Sequence, residues 1–297
     1  MNTLILTVVR RVVQPCRSFV LLAVLMPAFA GAFDLGGLTR GLLENAESIT
    51  NAISNSDALL GNYSDEQEVR LGRAASAVLL GAAPLYGDET VQRYVNRVGS
   101  WLVQHTERAG LPWRFGVLDS ASANAFAAPG GYVFVTRGLL AIAHNEAQLA
   151  GVLAHEIGHV LARHHLQAMT AQERFKLATE LALSASNTDG LISDALLGVT
   201  REIYAKGLEQ GDEFAADRLG VVIATRAGYD PYGLSQVLRT IAAASADAQV
   251  TGFFLSTHPP TTERLQQLDQ ILEQGFSVPS PPSSSELSAM QARLQKP

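Results

Sequence analysis

The sequence predicts an α+β domain, mainly helical with one small antiparallel β-sheet, and three observations carry that expectation. Apolar residues recur at helical spacing ahead of residue 110 and again after residue 137. Between those stretches the pattern changes to short aromatic and β-branched runs at 113–118 and 132–136. Pro129-Gly130-Gly131, between candidate strands, is turn chemistry.

The 297-residue chain begins with Arg10, Arg11 and Arg17 and no acid, then an apolar run at 18–26, then Ala28-Phe29-Ala30 before Gly31. A basic region, a hydrophobic region and a small-residue cleavage site in that order predict a signal peptide over 1–30 and export to the periplasm. The run is well short of the ~20 apolar residues a spanning helix needs, so it reads as a cleaved leader rather than a retained anchor. Nothing of that quality follows it, so membrane association is expected to be peripheral at most. Cys16, the single cysteine, precedes the apolar run. The mature chain is therefore expected to carry neither a lipid-modified cysteine nor a disulfide. Three of the 22 basic residues leave with the leader, so 19 face 28 acids and the net charge becomes −9. Such an acidic chain offers no footing for nucleic acid or anionic lipid.

Residues 31–62 form a poorly determined lead-in, 63–275 the expected catalytic domain, and 276–297 a disordered or short helical tail. Ser64-Asp65-Glu66-Gln67 predicts a capping box opening a helix to about Pro84. Val91, Val95, Val98 and Leu102 lie on one face of a second helix that ends near Gly110. Residues 146–169 are Ala- and Leu-rich and predict one long buried central helix. Helical pattern resumes over 201–226, from Pro231 to about Ala243, and over 262–274; the stretch 184–199 is a candidate mobile cover over the cleft.

His155-Glu156-Ile157-Gly158-His159 lies inside the central helix. Four residues advance a helix by about 400°, so the two imidazoles stand one turn apart and can reach one ion. Glu156 flanks that ion and is placed to take a proton from a water the metal acidifies. So short a pattern also arises by chance, but polar groups in an apolar helix need partners, and a metal supplies one. A catalytic zinc site uses three protein ligands, and Glu213 in Glu213-Phe214-Ala215-Ala216-Asp217 is the candidate third. Asp217, on the same helix face, is placed to accept the free ring N–H of a ligating histidine. On a continuous helix His164 and His165 point away from the first two histidines and cannot share the ion. His105 and His144 read as surface residues. His258, before Pro259-Pro260 in a stiff loop, is a candidate active-site residue.

These motifs resemble the gluzincin peptidases that include the HtpX heat-shock protease and the CAAX prenyl protease, most nearly the periplasmic BepA-like and LoiP-like branch. The resemblance spans roughly 63–272 and rests on Asn124-Ala125-Phe126-Ala127-Ala128-Pro129-Gly130-Gly131, the His155–His159 motif, Glu213–Gly220, Ala227–Pro231, and His258-Pro259 with Arg264. It implies a zincin-type domain with one Zn²⁺ per chain held by His155, His159 and Glu213, with Glu156 as base. It also implies that Asn124, Ala125, Phe126 and Ala127 form the edge strand that pairs with an extended substrate. His258 would either close the fourth metal position at rest or stabilise the oxyanion, and Arg264 would anchor its loop. The substrates implied are unfolded or misassembled envelope proteins, for quality control. The tetratricopeptide repeats of BepA-like members, the membrane spans of HtpX-like members and the lipid anchor of LoiP-like members have no counterpart in the motifs read here, so recruitment through such modules is not expected. Two other readings remain: a chaperone on the same scaffold, which would have no use for Glu156, and a non-peptidase zinc hydrolase.

Overall fold

The computed structural model describes residues 63–171, 202–244, 258, 262–273, 275 and 285–294. All lie in one compact unit, Leu42–Pro297. The expected leader, the lead-in and the cover at 184–199 fall outside the described residues.

Helix α1 (Asp65–Ala82) opens with the capping box the sequence announced, Ser64 accepting from the Gln67 amide and Gln67 reaching back to the Ser64 amide. In α2 (Glu89–Val103) the Asp88 side chain accepts from the Thr90 and Val91 amides, and Val91, Val95, Val98 and Leu102 are buried on one face. Three strands follow: β1 (Arg114–Leu118), β2 (Ala125–Ala128) and β3 (Tyr132–Thr136), in the order β1-β3-β2.

The sheet is mixed rather than wholly antiparallel. β2 and β3 form the expected antiparallel hairpin around the Pro129-Gly130-Gly131 turn, but β1 pairs with β3 in parallel. The connection after β1 carries the chain past the position of β3 to the far edge, so the turn fixes the direction of one pair and the crossover fixes the other. Gly130 and Gly131 both have positive φ, 73° and 97°, which the tight turn requires and other residues rarely adopt.

Short helix α3 (Arg137–Ile142) leads to the central helix α4 (Glu146–Leu161), in which every residue from Glu146 to Val160 is buried. Its first residue, Glu146, accepts hydrogen bonds from the Tyr94 hydroxyl (2.9 Å) and the Tyr229 hydroxyl (3.1 Å). A carboxylate there also complements the positive end of the helix dipole.

The long helix expected over 146–169 is two helices. It stops at Leu161, Arg163 takes a left-handed φ of 59°, and α5 (His164–Ala171) starts in a new direction. Burial of charge enforces the break. Fully buried Glu68 of α1 accepts from Arg163 Nε (3.1 Å), Arg108 Nη2 (2.8 Å) and the Gly130 amide (3.0 Å), fastening the end of α4 to α1 and the β2–β3 turn.

A helical turn at 202–206 precedes α6 (Gln210–Arg226), followed by α7 (Gly233–Ala244), α8 (Thr262–Glu273) and α9 (Ser285–Leu294). α9 sits within the expected tail; Leu287 and Met290 are buried, and Gln291 donates to the Leu140 and Ala143 carbonyls. α4 packs on α6 and α7 on one side and on the sheet on the other, and Ala125 and Ala127 of β2 share its core.

Candidate metal centre and active site

The contact between α4 and α6 positions the site. A Cβ on Gly220 of α6 would come within 3.0 Å of the His155 amide nitrogen, and one on Gly158 of α4 within 3.1 Å of the Ala216 carbonyl oxygen. Only glycine lets the two backbones approach this closely without one giving way. The approach brings Glu213 and Asp217, one turn apart on α6, against His155 and His159, one turn apart on α4.

Four side chains converge there, His155, His159, Glu213 and His258, all buried, each with one candidate ligand atom within 4.8 Å of the others. His155 Nε2 and His159 Nε2 are 3.0 Å apart, His155 Nε2 and Glu213 Oε2 3.5 Å, and His159 Nε2 and Glu213 Oε1 3.4 Å. Bonds of about 2.0–2.1 Å to a tetrahedral zinc place neighbouring donors about 3.3–3.4 Å apart, so the donor set fits that ion. The outer ring nitrogens have close polar neighbours: His155 Nδ1 lies 2.9 Å from Asp217 Oδ1 and His159 Nδ1 2.9 Å from His164 Nδ1. With the proton on His155 Nδ1, beside the Asp217 carboxylate, the Nε2 lone pair faces inward.

Asp217 is held in turn by Arg264, whose Nε and Nη2 each reach a carboxylate oxygen at 2.8 Å, while Nη1 reaches Glu213 Oε2 at 2.8 Å. Arg264 is 1% exposed. Thus it comes against both α6 carboxylates directly; the part assigned to it in the sequence, anchoring the loop of His258, concerns residues that, His258 apart, lie outside those described. Burial alone would raise the Asp217 pKa, but the Arg264 charge outweighs it and holds the carboxyl below its usual range. Glu213 behaves alike: burial pushes it up, and the surrounding imidazoles of His258, His155 and His159 drive it far down. Burial opposes protonation of His155, yet Asp217 and Glu213 prevail and raise it to about 9. His159 goes the other way, lowered by burial.

Glu156 differs from both α6 carboxylates. It is fully buried, and neither oxygen has a hydrogen-bond partner among the described residues. His258 Nε2 lies 3.6 Å from its Oε1, while His258 Nδ1 lies 2.9 Å from Glu213 Oε1. Burial raises the Glu156 pKa, with the His258 and His155 charges opposing.

The break after α4 also returns two histidines to the site. His164 touches His159 as described, and the His165 ring centroid lies 5.6 Å from that of His159. Neither belongs to the four-donor group, as the sequence anticipated, but the reason is a new helix direction rather than a rotation along one helix. Burial holds His165 neutral, its pKa down at about 3. Sequence reasoning rejected both as ligands but missed their return to the site, because no Gly or Pro marks the break. It also missed Tyr204, whose ring stacks on His165 with centroids 5.1 Å apart. His144 is exposed and His105 half-buried, and both lie outside the cluster. Asn124, Ala125, Phe126 and Ala127 are placed at and just before β2, an edge of the described sheet.

With this geometry in view, comparison with known proteins gives a match of residues 89–272 to the model of peptidase family M48. The chain belongs to peptidase family M48. Its relatives include the beta-barrel assembly-enhancing protease of Yersinia pestis, 31% identical over 265 residues, covering 86% of this chain and 53% of that protein. The Escherichia coli protein of the same name is 29% identical over 250 residues, covering 81% of this chain and 50% of its own length. The mitochondrial metalloendopeptidase OMA1 of Schizosaccharomyces pombe is 29% identical over 190 residues, 64% of this chain and 55% of the relative. The chain therefore spans about half the length of these relatives. The M48 match covers both α4 and α6, the two helices that carry the four-donor cluster's first three members.

Proposed function

We propose that the chain is a zinc-dependent endopeptidase, exported to the periplasm, that hydrolyses peptide bonds of unfolded or misassembled envelope proteins in quality control. The observation that carries the chemistry is the pairing of a donor set that fits one zinc with a buried Glu156 that has no hydrogen-bond partner among the described residues. A purely structural site would have no use for that carboxylate, which argues against a chaperone that merely keeps a metal.

His155, His159 and Glu213 would hold the zinc, with Asp217 orienting His155 and Arg264 holding Asp217. Bound there, zinc supplies the Lewis acidity that brings the pKa of a water to about 7 and polarises the scissile carbonyl. Glu156 accepts the proton of the attacking water on one carboxylate oxygen and passes it to the leaving amine nitrogen. Its raised pKa brings its basicity nearer to neutral, which suits both transfers. Asn124, Ala125, Phe126 and Ala127 would present the edge that an extended substrate backbone pairs with.

The nitrogens of His258 lie among the donors, which favours the resting role: His258 completes the fourth position and withdraws when substrate arrives. The substrate class rests on the printed names of the two bacterial relatives and on the resemblance drawn from the motifs. Export rests on the leader pattern at 1–30. Among the described residues no helix is long and apolar enough to cross a membrane.

Digestion of casein by the zinc-loaded chain beside Glu156→Gln tests the proposal. Cleavage is expected from the first only, and a chelator should abolish it until zinc is restored. Cleavage of esters or simple amides with none of casein would instead indicate a non-peptidase hydrolase.

A further inference from the structure

The outer edge of β2, in the described sheet, is not bare. The Thr136 amide donates to the Asn124 carbonyl (2.9 Å), and Ala125 lies opposite Val135 and Phe126 opposite Phe134. In an antiparallel ladder this alternation turns the backbone groups of Asn124, Phe126 and Ala128 toward β3 and those of Ala125 and Ala127 toward the side away from β3. Both of these outward residues have a side-chain partner. The Ala125 amide donates to Asn124 Oδ1 at 2.8 Å, and the Ala127 carbonyl accepts from the Tyr204 hydroxyl at 2.6 Å.

Tyr204 comes from the helical turn at 202–206, 77 residues beyond the strand, and is 6% exposed. Two rings aim it. It meets Phe126 edge-on, with centroids 6.1 Å apart at 75°, and stacks on His165 at 23°. Burial raises the phenol pKa, with the nearby Glu156 charge adding to it, so the hydroxyl keeps its proton and stays a donor.

We propose that Tyr204 stands in for substrate at this edge: its hydroxyl holds the Ala127 carbonyl until the backbone N–H of an extended peptide takes that place. The inference rests on the reading that β2 is the substrate strand, and deepens it by naming the group that must be displaced. Exchange of one neutral hydrogen bond for another is nearly even, so entry is favourable only for a segment whose N–H is unpaired and that can add further ladder bonds. A helix or a paired strand would have to break its own bonds first. Tyr204 thereby selects for unfolded chain without contacting any particular side chain of it.

Tyr204→Phe keeps the ring contacts and removes only the donor, so near-native folding is expected. The test uses the full zinc-loaded chain carrying Glu156→Gln, which leaves the ligand uncut, and a fluorescein-labelled peptide from reduced casein. Adding Tyr204→Phe should tighten binding about fivefold, the equivalent of roughly 1 kcal/mol for one hydrogen bond. Scanning N-methylation along the peptide should reveal one amide whose methylation abolishes that gain. In the enzyme with Glu156 intact, Tyr204→Phe should lower KM by a similar factor with kcat within twofold. Equal or weaker peptide binding overturns the proposal, as does a fall in kcat at unchanged KM, which would put the hydroxyl in the reaction itself. If Glu156→Gln binds no peptide while folded and zinc-loaded, the substrate-strand reading fails and this inference falls with it; binding that is indifferent to Tyr204 leaves that reading intact.

Discussion

The two walls of the cluster treat their carboxylates in opposite ways. On α6, Glu213 and Asp217 each lie against opposite charge: Arg264 comes within 2.8 Å of both, His155 lies 2.9 Å from Asp217, and three imidazoles surround Glu213. On α4, Glu156 is as deeply buried and has no hydrogen-bond partner among the described residues. A buried ionisable group without partners costs free energy, and one inside a full network does not move. The α6 wall is therefore built to hold, and the α4 wall keeps one group available to act.

The largest expected effect comes from testing Glu156 against that contrast. Glu156→Gln should lower kcat/KM for peptide cleavage by about 10²- to 10⁴-fold, the range for loss of a general base. It should leave zinc content at one per chain and should not lower Tm, since it removes an unsatisfied carboxylate. A drop in Tm of several degrees would show that Glu156 is a structural group like its α6 counterparts.

Arg264→Ala should do the reverse. It leaves two acids buried without their cation, and urea titration should show a loss of about 3–5 kcal/mol, as for breaking a buried ion pair from one side. An effect under about 1 kcal/mol would mean the α6 wall is not a network. Zinc, by binding only the folded site, should offset part of the loss.

Asp217→Asn probes the orientation of His155 alone. Zinc affinity should fall about 10- to 100-fold, the usual consequence of losing a group that orients a ligating histidine, with folding largely retained. Competition with a chromophoric chelator would measure it. Affinity unchanged within twofold would detach Asp217 from the metal.

The smallest effect, and the one with an unusual sign, is expected at His258. If it completes the fourth position at rest, His258→Ala should raise the rate of casein cleavage a few-fold and leave KM for a short peptide little changed. A loss of activity would assign it to the oxyanion instead.

Much of this contrast is local and therefore legible without a structure. The one-turn spacing of His155 and His159, the matching spacing of Glu213 and Asp217, the Ser64 capping box and the Gly130-Gly131 turn each follow from helix or turn geometry within a few residues. Elements formed by charges distant in sequence were not legible. The end of α4 at Leu161 depends on Glu68, Arg108 and Arg163, and no breaker residue at 162–163 announces it. The parallel pairing of β1 with β3 depends on where a connection crosses, which strand patterns do not encode.

The sequence by itself determined the chemistry on offer: two imidazoles and a carboxylate at helical spacing, a second acidic helix, a histidine held before two prolines. Only the tertiary structure decided which of these groups are already committed. Gly158 and Gly220 bring α4 and α6 close enough for Arg264 to reach both acids of one wall, Glu156 is left without a hydrogen-bond partner among the described residues, and Tyr204 crosses to the β2 edge from 77 residues away. Spacing along a chain specifies what can share a face; the partners a buried polar group finds depend on which faces the fold brings together.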